Sequence, residues 1–308
     1  MIKYFFQDKS EGQLGELDSF KKGSWIYAEA PTDDELVGLM TQLELEPGHL
    51  EDAQDEDEMP RLEREGDKTY LFVRFAYKSS RGDIETAPLL IVLAPDFVLT
   101  MSPTHLPALD VLLRRRGQLV TTQRAKLILL ILSNISDQYD MFINQTSRQI
   151  KAIRSRLRGT GIRNQDLIAF VTIEDELNEF LTSLQPTNAA LRRLLVGRQL
   201  RLEEDQDIVE DLLLNNEQSI EGIRSNLRSI SNIRESYSAI SSNNLNQTIT
   251  VLTLATILVA LPNVFFGMYG MNVPLPFQKR DWIFEAIIAV NITLIIGIVV
   301  YARRKRII

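Results

Sequence analysis

The residues best able to do chemistry stand in an apolar setting. Between Glu235 and Lys279 lie 43 positions without a charged side chain, residues 236–278. Stepping through this run by threes and fours gives Asn246, Ile249, Thr253, Thr256, Ala260, Asn263, Gly267 and Gly270. On a helix these positions share one face, and apart from Ile249 that face is small or polar. Leu252, Leu254, Ile257, Leu258, Leu261, Phe265 and Phe266 fill the other faces. Amide and hydroxyl oxygens are neutral acceptors, able to hold a hydrated cation without trapping it. Close packing between helices through small residues is the competing reading of the same pattern. The run ends on Tyr269-Gly270-Met271-Asn272, where Asn272 adds an amide carbonyl at the helix end. Small divalent cations such as Mg2+ shed water reluctantly, so carbonyls would recognise them through the hydration shell.

A second candidate is acidic. Glu44, Glu46, Glu51, Asp52, Asp55, Glu56, Asp57, Glu58, Glu63 and Glu65 crowd one short stretch. It reads either as a solvated helix face or as a site for a hard divalent cation. His49 and His105 read as ordinary surface or loop residues rather than metal ligands. With no Cys and only two His, disulfides, Cys-type zinc sites, iron–sulfur clusters and cysteine nucleophiles are excluded. No nucleophile–His pairing, phosphate loop or cofactor motif occurs, so an enzyme is not expected. Nor does a basic groove with interleaved aromatics occur, which argues against nucleic acid as a partner.

These residues need elements to carry them. A bilayer core requires about 20 apolar residues in a helix. Residues 248–269 meet that length, as do residues 282–301, so two transmembrane helices are expected. The overall charge of −7 divides into −11 for residues 1–278 and +4 for the last 30, which carry six basic and two acidic side chains. The Arg303-Arg304-Lys305-Arg306 end places the C-terminus in the cytoplasm by the positive-inside rule. Two crossings then return the acidic N-terminal part to the same side and leave the loop 270–281 outside. The first residues turn polar too soon for a signal peptide. The Leu127-Ile-Leu-Leu-Ile-Leu132 run, flanked by Arg124, Lys126 and Asp137, reads as a buried helix outside the membrane.

The first hundred residues read as mixed α/β, with strands expected at 2–6, 25–28, 69–77, 89–93 and 97–101. Turn formers such as Arg81-Gly82-Asp83 separate them. Thr32 and Glu35 form a capping-box pattern opening a helix to Leu43. Beyond Thr122 no strand is expected. Helices are expected over 124–157 and 164–184, then one from about Leu200 to Tyr269, on the order of 105 Å long. Its Ile220, Ile223, Leu227, Ile230, Ile233, Tyr237 and Ile240 define a single apolar seam. The expected divisions are an α/β domain 1–122, a helical region and stalk 123–245, and a membrane domain 246–308, with spans at 246–269 and 282–302.

With these features together, the chain resembles the CorA family of divalent-cation transporters along essentially its whole length. The likeness is sharpest at Tyr269-Gly270-Met271-Asn272 and at the two C-terminal spans with their basic end; residues 52–67 are also similar. The resemblance implies a homopentameric funnel in the plasma or inner membrane. In it an α/β cytoplasmic domain leads by a stalk helix into a pore-lining first span. It implies transport of Mg2+, with Co2+ and Ni2+ as further substrates, no separate cofactor, and regulation by cytoplasmic Mg2+. Carried over residue by residue, Gly270, Met271 and Asn272 form the selectivity filter. Asn246, Ile249, Leu252, Thr253, Thr256, Ala260 and Asn263 line the pore, with Ile249 and Leu252 at a hydrophobic gate. Asp211 corresponds to an intersubunit metal-sensing position. Two departures stand out: the loop here carries Lys279 and Arg280 where the family pattern is acidic, and the ZntB branch, associated with zinc, shares the signature; a zinc transporter and a membrane-anchored metal sensor that does not conduct are the competing readings.

Overall fold

The computed structural model describes residues 1–8, 14–80, 82–114, 119–157, 163–196, 203–277 and 280–305. Arg81, Leu200, Gln278, Lys279 and Arg306, all invoked above, lie outside them. The chain divides into two compact units, Met1–Ser231 and Asn232–Ile308.

In the first unit, β-branched and aromatic runs form a seven-stranded sheet: β1 Ile2–Phe6, β2 Gly15–Leu17, β3 Ser24–Glu29, β4 Arg61–Glu65, β5 Lys68–Lys78, β6 Ile84–Leu93 and β7 Phe97–Ser102. The order is β2-β1-β3-β7-β6-β5-β4. Only β3 and β7 run parallel, Ile26 facing Leu99; the other pairs are antiparallel. Helices α1 Asp33–Leu43 and α2 Pro47–Asp52 cover one sheet face, where Leu36, Leu39 and Leu50 meet Ile26, Phe72, Leu90 and Leu99. Helices α3 Pro107–Arg114, α4 Arg124–Leu157 and α5 Asn164–Leu195 follow, and α4 and α5 pack against β5 and β6. Residues 86–92 are buried continuously because both faces of β6 are covered. Leu127, Leu129 and Ile131 are buried here, as expected of a helix outside the membrane.

Two further helices complete the chain, α6 Glu203–Tyr269 and α7 Ile283–Arg304. The early part of α6 buries Val209, Leu212, Ile220 and Ile223. Buried amides fix its register against α4 and α5: the Asn216 amide donates to Asn188 Oδ1 at 3.0 Å and accepts from Ser136 at 2.8 Å. Such a network is satisfied in one alignment of the helices, so it specifies register more than it adds stability.

Thr32 caps α1 as the sequence pattern predicts, accepting from the Glu35 N–H while Glu35 accepts from the Thr32 N–H. Three elements depart from expectation. The acidic stretch is not one helix face: α2, a turn and strand β4 occupy it. Strand β4 forms because the Gly66 turn, at φ 58°, folds it onto β5 and lets Leu62 be buried. Helix α5 runs through Pro186 to Leu195. Burial of Ala190, Leu191 and Leu194 beyond the proline outweighs the lost backbone bond.

At the end of β3, His105 ties two elements together. Its Nδ1 lies 2.9 Å from Glu29 Oε2 and its Nε2 3.1 Å from Asp110 Oδ2 on α3. The hydrogen bond to Glu29 raises the His105 pKa above its ordinary 6.5; burial opposes this by a smaller amount, and the charges of Glu29 and Asp110 raise it further. A raised His pKa stabilises the fold below the unfolded value and loses that contribution as pH rises through the folded one. His105→Gln is therefore expected to lower the melting temperature most at acidic pH. Its difference from the parent protein should shrink toward alkaline pH in paired thermal melts.

Candidate functional site: the polar face of the first membrane helix

Both α6 and α7 contain stretches long and apolar enough to cross a membrane. Within the second unit each helix shields one narrow stripe. Along α6, Leu254, Leu258, Leu261, Phe265 and Tyr269 are half-buried, whereas Asn246, Ile249, Leu252, Thr253, Thr256, Ala260, Asn263, Gly267 and Gly270 are exposed. At about 100° per residue, the centre of the polar stripe lies roughly 180° from the centre of the half-buried one. Helix α7 carries its own shielded stripe, with Ile287, Asn291 and Ala302 buried and Ile283, Ile295 and Ile298 half-buried. A single chain therefore shields only a narrow stripe of α6 and leaves the polar face uncovered, along with apolar residues such as Val251, Ile257, Val259 and Phe266.

The stripe also has a chemical polarity. Asn263 donates its amide N–H to the Val259 carbonyl at 3.1 Å, and Thr256 donates its hydroxyl to Leu252 at 2.9 Å. A backbone carbonyl can only accept, which fixes the Asn263 side chain with its nitrogen inward and its oxygen outward. The single hydroxyl hydrogen of Thr256 and one of the two amide hydrogens of Asn263 are spent on the helix, and oxygen lone pairs of both side chains remain able to accept. Such a surface suits water molecules that already point their oxygens at a cation and their hydrogens away from it.

Helix α6 ends where the Gly270 N–H bonds to Phe266 at 2.9 Å and the Met271 N–H to Met268 at 3.2 Å. A side chain on Gly270 would bring its Cβ to 3.1 Å from the Phe266 carbonyl oxygen, so glycine is favoured here by close approach rather than by a positive φ. The following loop folds back on the helix: the Tyr269 hydroxyl donates to the Pro276 carbonyl at 3.3 Å, and Phe277 and Trp282 rings lie 5.9 Å apart. Met271 and Asn272 stand exposed after the helix end, and Arg280, Asp281 and Glu285 are exposed too.

The other candidates resolve differently. Within the acidic stretch, Arg61 pairs with Asp52 at 2.6 Å and also with Glu58 and Glu63, its guanidinium stacked 3.9 Å from the Phe72 ring centre. His49 is buried rather than at the surface. It packs 4.2 Å from Tyr70, ring to ring, with its Nε2 3.5 Å from Glu65 and 3.7 Å from Glu63. Among the described residues no group of three or more His, Asp or Glu could hold a metal ion. Asp211 is exposed on α6. One intramembrane residue was not singled out from the sequence. Asn291 is 4% exposed, donates to the Ile287 carbonyl at 2.9 Å, and leaves its Oδ1 without a partner among the described residues. A lone amide in the charge-free run 286–302 was the signal available.

This arrangement defines a two-span membrane protein with a seven-stranded α/β unit ahead of the spans and an oxygen-rich face on the first one. The chain belongs to the CorA-like Mg2+ transporter protein family, whose model matches residues 20–304. This is a family of transporters, not of enzymes. The chain is 24% identical over 296 residues to the cobalt/magnesium transport protein CorA of Methanocaldococcus jannaschii, covering 91% of this chain and 90% of that protein. The complete structure of the CorA magnesium transporter from that organism superposes with a TM-score of 0.86 at 21% identity, covering 99% of this chain and 98% of the other. The ZntB cytoplasmic domain from Vibrio parahaemolyticus shares the fold at a TM-score of 0.67 and 11% identity, covering 78% of this chain and 98% of that domain.

The tight end of α6 yields a direct test. Gly270→Ala should overpack the helix end against the Phe266 carbonyl, costing roughly 1–3 kcal/mol locally. A lowered melting temperature of the purified protein in detergent is the expected readout, while Gly267→Ala, where an added Cβ meets nothing within 4 Å, should not lower it and serves as a helix-favouring control.

Proposed function

We propose that this chain assembles as a homopentamer that conducts hydrated divalent cations through the cell membrane, Mg2+ first, with Co2+ and Ni2+ as further substrates. The observation that carries this reading is the uncovered oxygen face of α6, opposite its shielded face. One chain offers too few helices to enclose a path, and lipid is a poor partner for exposed amides. Copies arranged about an axis would turn every such face inward and give a wet pore lined by Asn246, Thr253, Thr256, Ala260 and Asn263. Ile249 and Leu252 would form its hydrophobic gate. Gly270, Met271 and Asn272 would form the selectivity ring at the outer mouth, with both chain termini in the cytoplasm.

Regulation follows from the same symmetry. Among the described residues exposed Asp211 has too few neighbouring ligands to hold a metal, so a sensor there would draw carboxylates from an adjacent copy. Cytoplasmic Mg2+ bound between copies would favour a closed state, and its loss would release it. Transport of Zn2+ is the second reading, favoured by the fold shared with the ZntB cytoplasmic domain.

Liposomes carrying the purified protein test both readings. Mg2+ influx that exceeds Zn2+ influx and ignores a pH gradient is expected; the reverse order would assign the zinc branch. Asn272→Ala should abolish selective Mg2+ uptake while the oligomer, measured by light scattering, stays intact. Undiminished flux in that variant would overturn the filter assignment. Asp211→Lys should lower flux at low internal Mg2+ by imitating the bound charge.

A further inference from the structure

Among the described residues of the second unit, Asn291 is the only buried polar side chain, at 4% exposed. Its amide nitrogen donates to the Ile287 carbonyl at 2.9 Å. A carbonyl only accepts, so the nitrogen is turned onto α7 and the oxygen away from it. That Oδ1 is shielded yet accepts from nothing among the described residues. Bonding to its own helix satisfies an intramembrane asparagine in part, and here it serves the nitrogen alone. In a bilayer core the oxygen has no bulk solvent to fall back on.

The side chains around it cannot supply the hydrogen. Its shielded neighbours along α7 are Ile287 and Ile295, and the shielded stripe of α6 offers Leu258, Leu261, Pro262 and Phe265. Tyr269, at the outer end of that stripe, spends its hydroxyl hydrogen on Pro276. An adjacent copy cannot reach the group, because its own chain already covers it.

Helix geometry says what lies opposite. The two spans leave their connecting loop at Tyr269 and Ile283 and run antiparallel. At 1.5 Å per residue, Asn291 and Leu261 both lie roughly 12 Å from that loop, so Asn291 comes opposite Leu261 and Pro262. This is the level at which α6 lacks a donor. Pro262 has no N–H to give to the Leu258 carbonyl. Leu258 and Pro262 are both half-buried, so the carbonyl between them opens toward α7. Two unmet oxygens thus face each other across the helix pair.

We propose that one water molecule binds here, donating one hydrogen to Asn291 Oδ1 and the other to the Leu258 carbonyl. Two acceptors without a donor between them call for a small ligand with two hydrogens. A divalent cation would need more oxygens than this pair. Ordered water is a known way of meeting a carbonyl that a proline leaves free inside a span. Through this bridge Asn291 is a positioning residue: it ties α7 to α6 at the point where the α6 ladder is broken. The segment beyond Pro262, which carries Gly270 and leads to Asn272, is held by that tie. Neither the bridge nor its hold on the helix depends on what the protein transports.

The test is a double-mutant cycle on the full-length protein in detergent, with Asn291→Leu, Pro262→Ala and the two combined. In the parent background Asn291→Leu removes one end of the bridge and strands the Leu258 carbonyl, which should lower the melting temperature by a few degrees. Pro262→Ala returns an N–H to that carbonyl. In that background Asn291→Leu only removes an orphaned oxygen, so it should not lower the melting temperature. Equal shifts in both backgrounds, or an unlowered melting temperature for Asn291→Leu in the parent, would overturn the bridge. The positioning role is read separately by a spin label at Val273→Cys, a unique attachment point because the chain has no Cys. Asn291→Leu should increase the label's mobility, and Asn291→Leu with Pro262→Ala should increase it less. Unchanged mobility would overturn the positioning role. Metal flux enters neither readout, so failure here is distinguishable from failure of the transport assays.

Discussion

Water is absent from a bilayer core, and a helix that presents amide and hydroxyl groups there must have them met by something other than lipid. Much of the second unit follows from that constraint. The half-buried leucines and Phe265 take one side of α6 and leave Asn246, Thr253, Thr256 and Asn263 on the other. Donation of the Thr256 hydroxyl hydrogen and one Asn263 amide hydrogen to their own helix then leaves oxygen acceptors available on that face. The inward turn of those hydrogens costs nothing in sequence complexity. It requires only that the polar residue be able to reach the carbonyl four positions back, which both Asn and Thr do.

The α/β unit solves a more familiar problem. A mixed sheet with both faces covered needs apolar residues on consecutive positions of its central strands, and β6 has them from Ala87 to Val92. Part of the acidic stretch is tied down locally. Arg61 gathers Asp52, Glu58 and Glu63, with the Phe72 ring beneath its guanidinium, while Glu51, Asp55, Glu56 and Asp57 stay exposed.

Long-period features were legible in the sequence. Helix α4 spans Arg124–Leu157 as its pattern predicts, the Thr32 cap is present, and the separation of apolar and polar faces in the first span follows from its spacing. What escaped depends on partners remote in the chain. Strand β4 reads as a run of charges, because four of its five residues are Arg or Glu, and only pairing with β5 makes it a strand. The continuation of α5 past Pro186 rests on the burial of Leu191 and Leu194, which local propensity does not contain. Asn291 looked like one polar residue in an apolar span; its burial becomes meaningful only when the shielded stripe of α7 is known. His49 was hidden in the same way, since the Tyr70 ring it packs against belongs to a strand 21 positions on.

Pro262 sits inside α6, one position before Asn263. It has no N–H to give to the Leu258 carbonyl, so the ladder of backbone bonds is short by one rung at that level. Flexing the helix there stretches no bond that exists. The segment carrying Gly267 and Gly270 can therefore tilt about Pro262 at less cost than any other point along the span, and the Asn263 oxygen lies beside that pivot. A helix built this way behaves as a rod with a soft joint near its end, which lets the loop bearing Asn272 widen or narrow while the rest of the rod keeps its line.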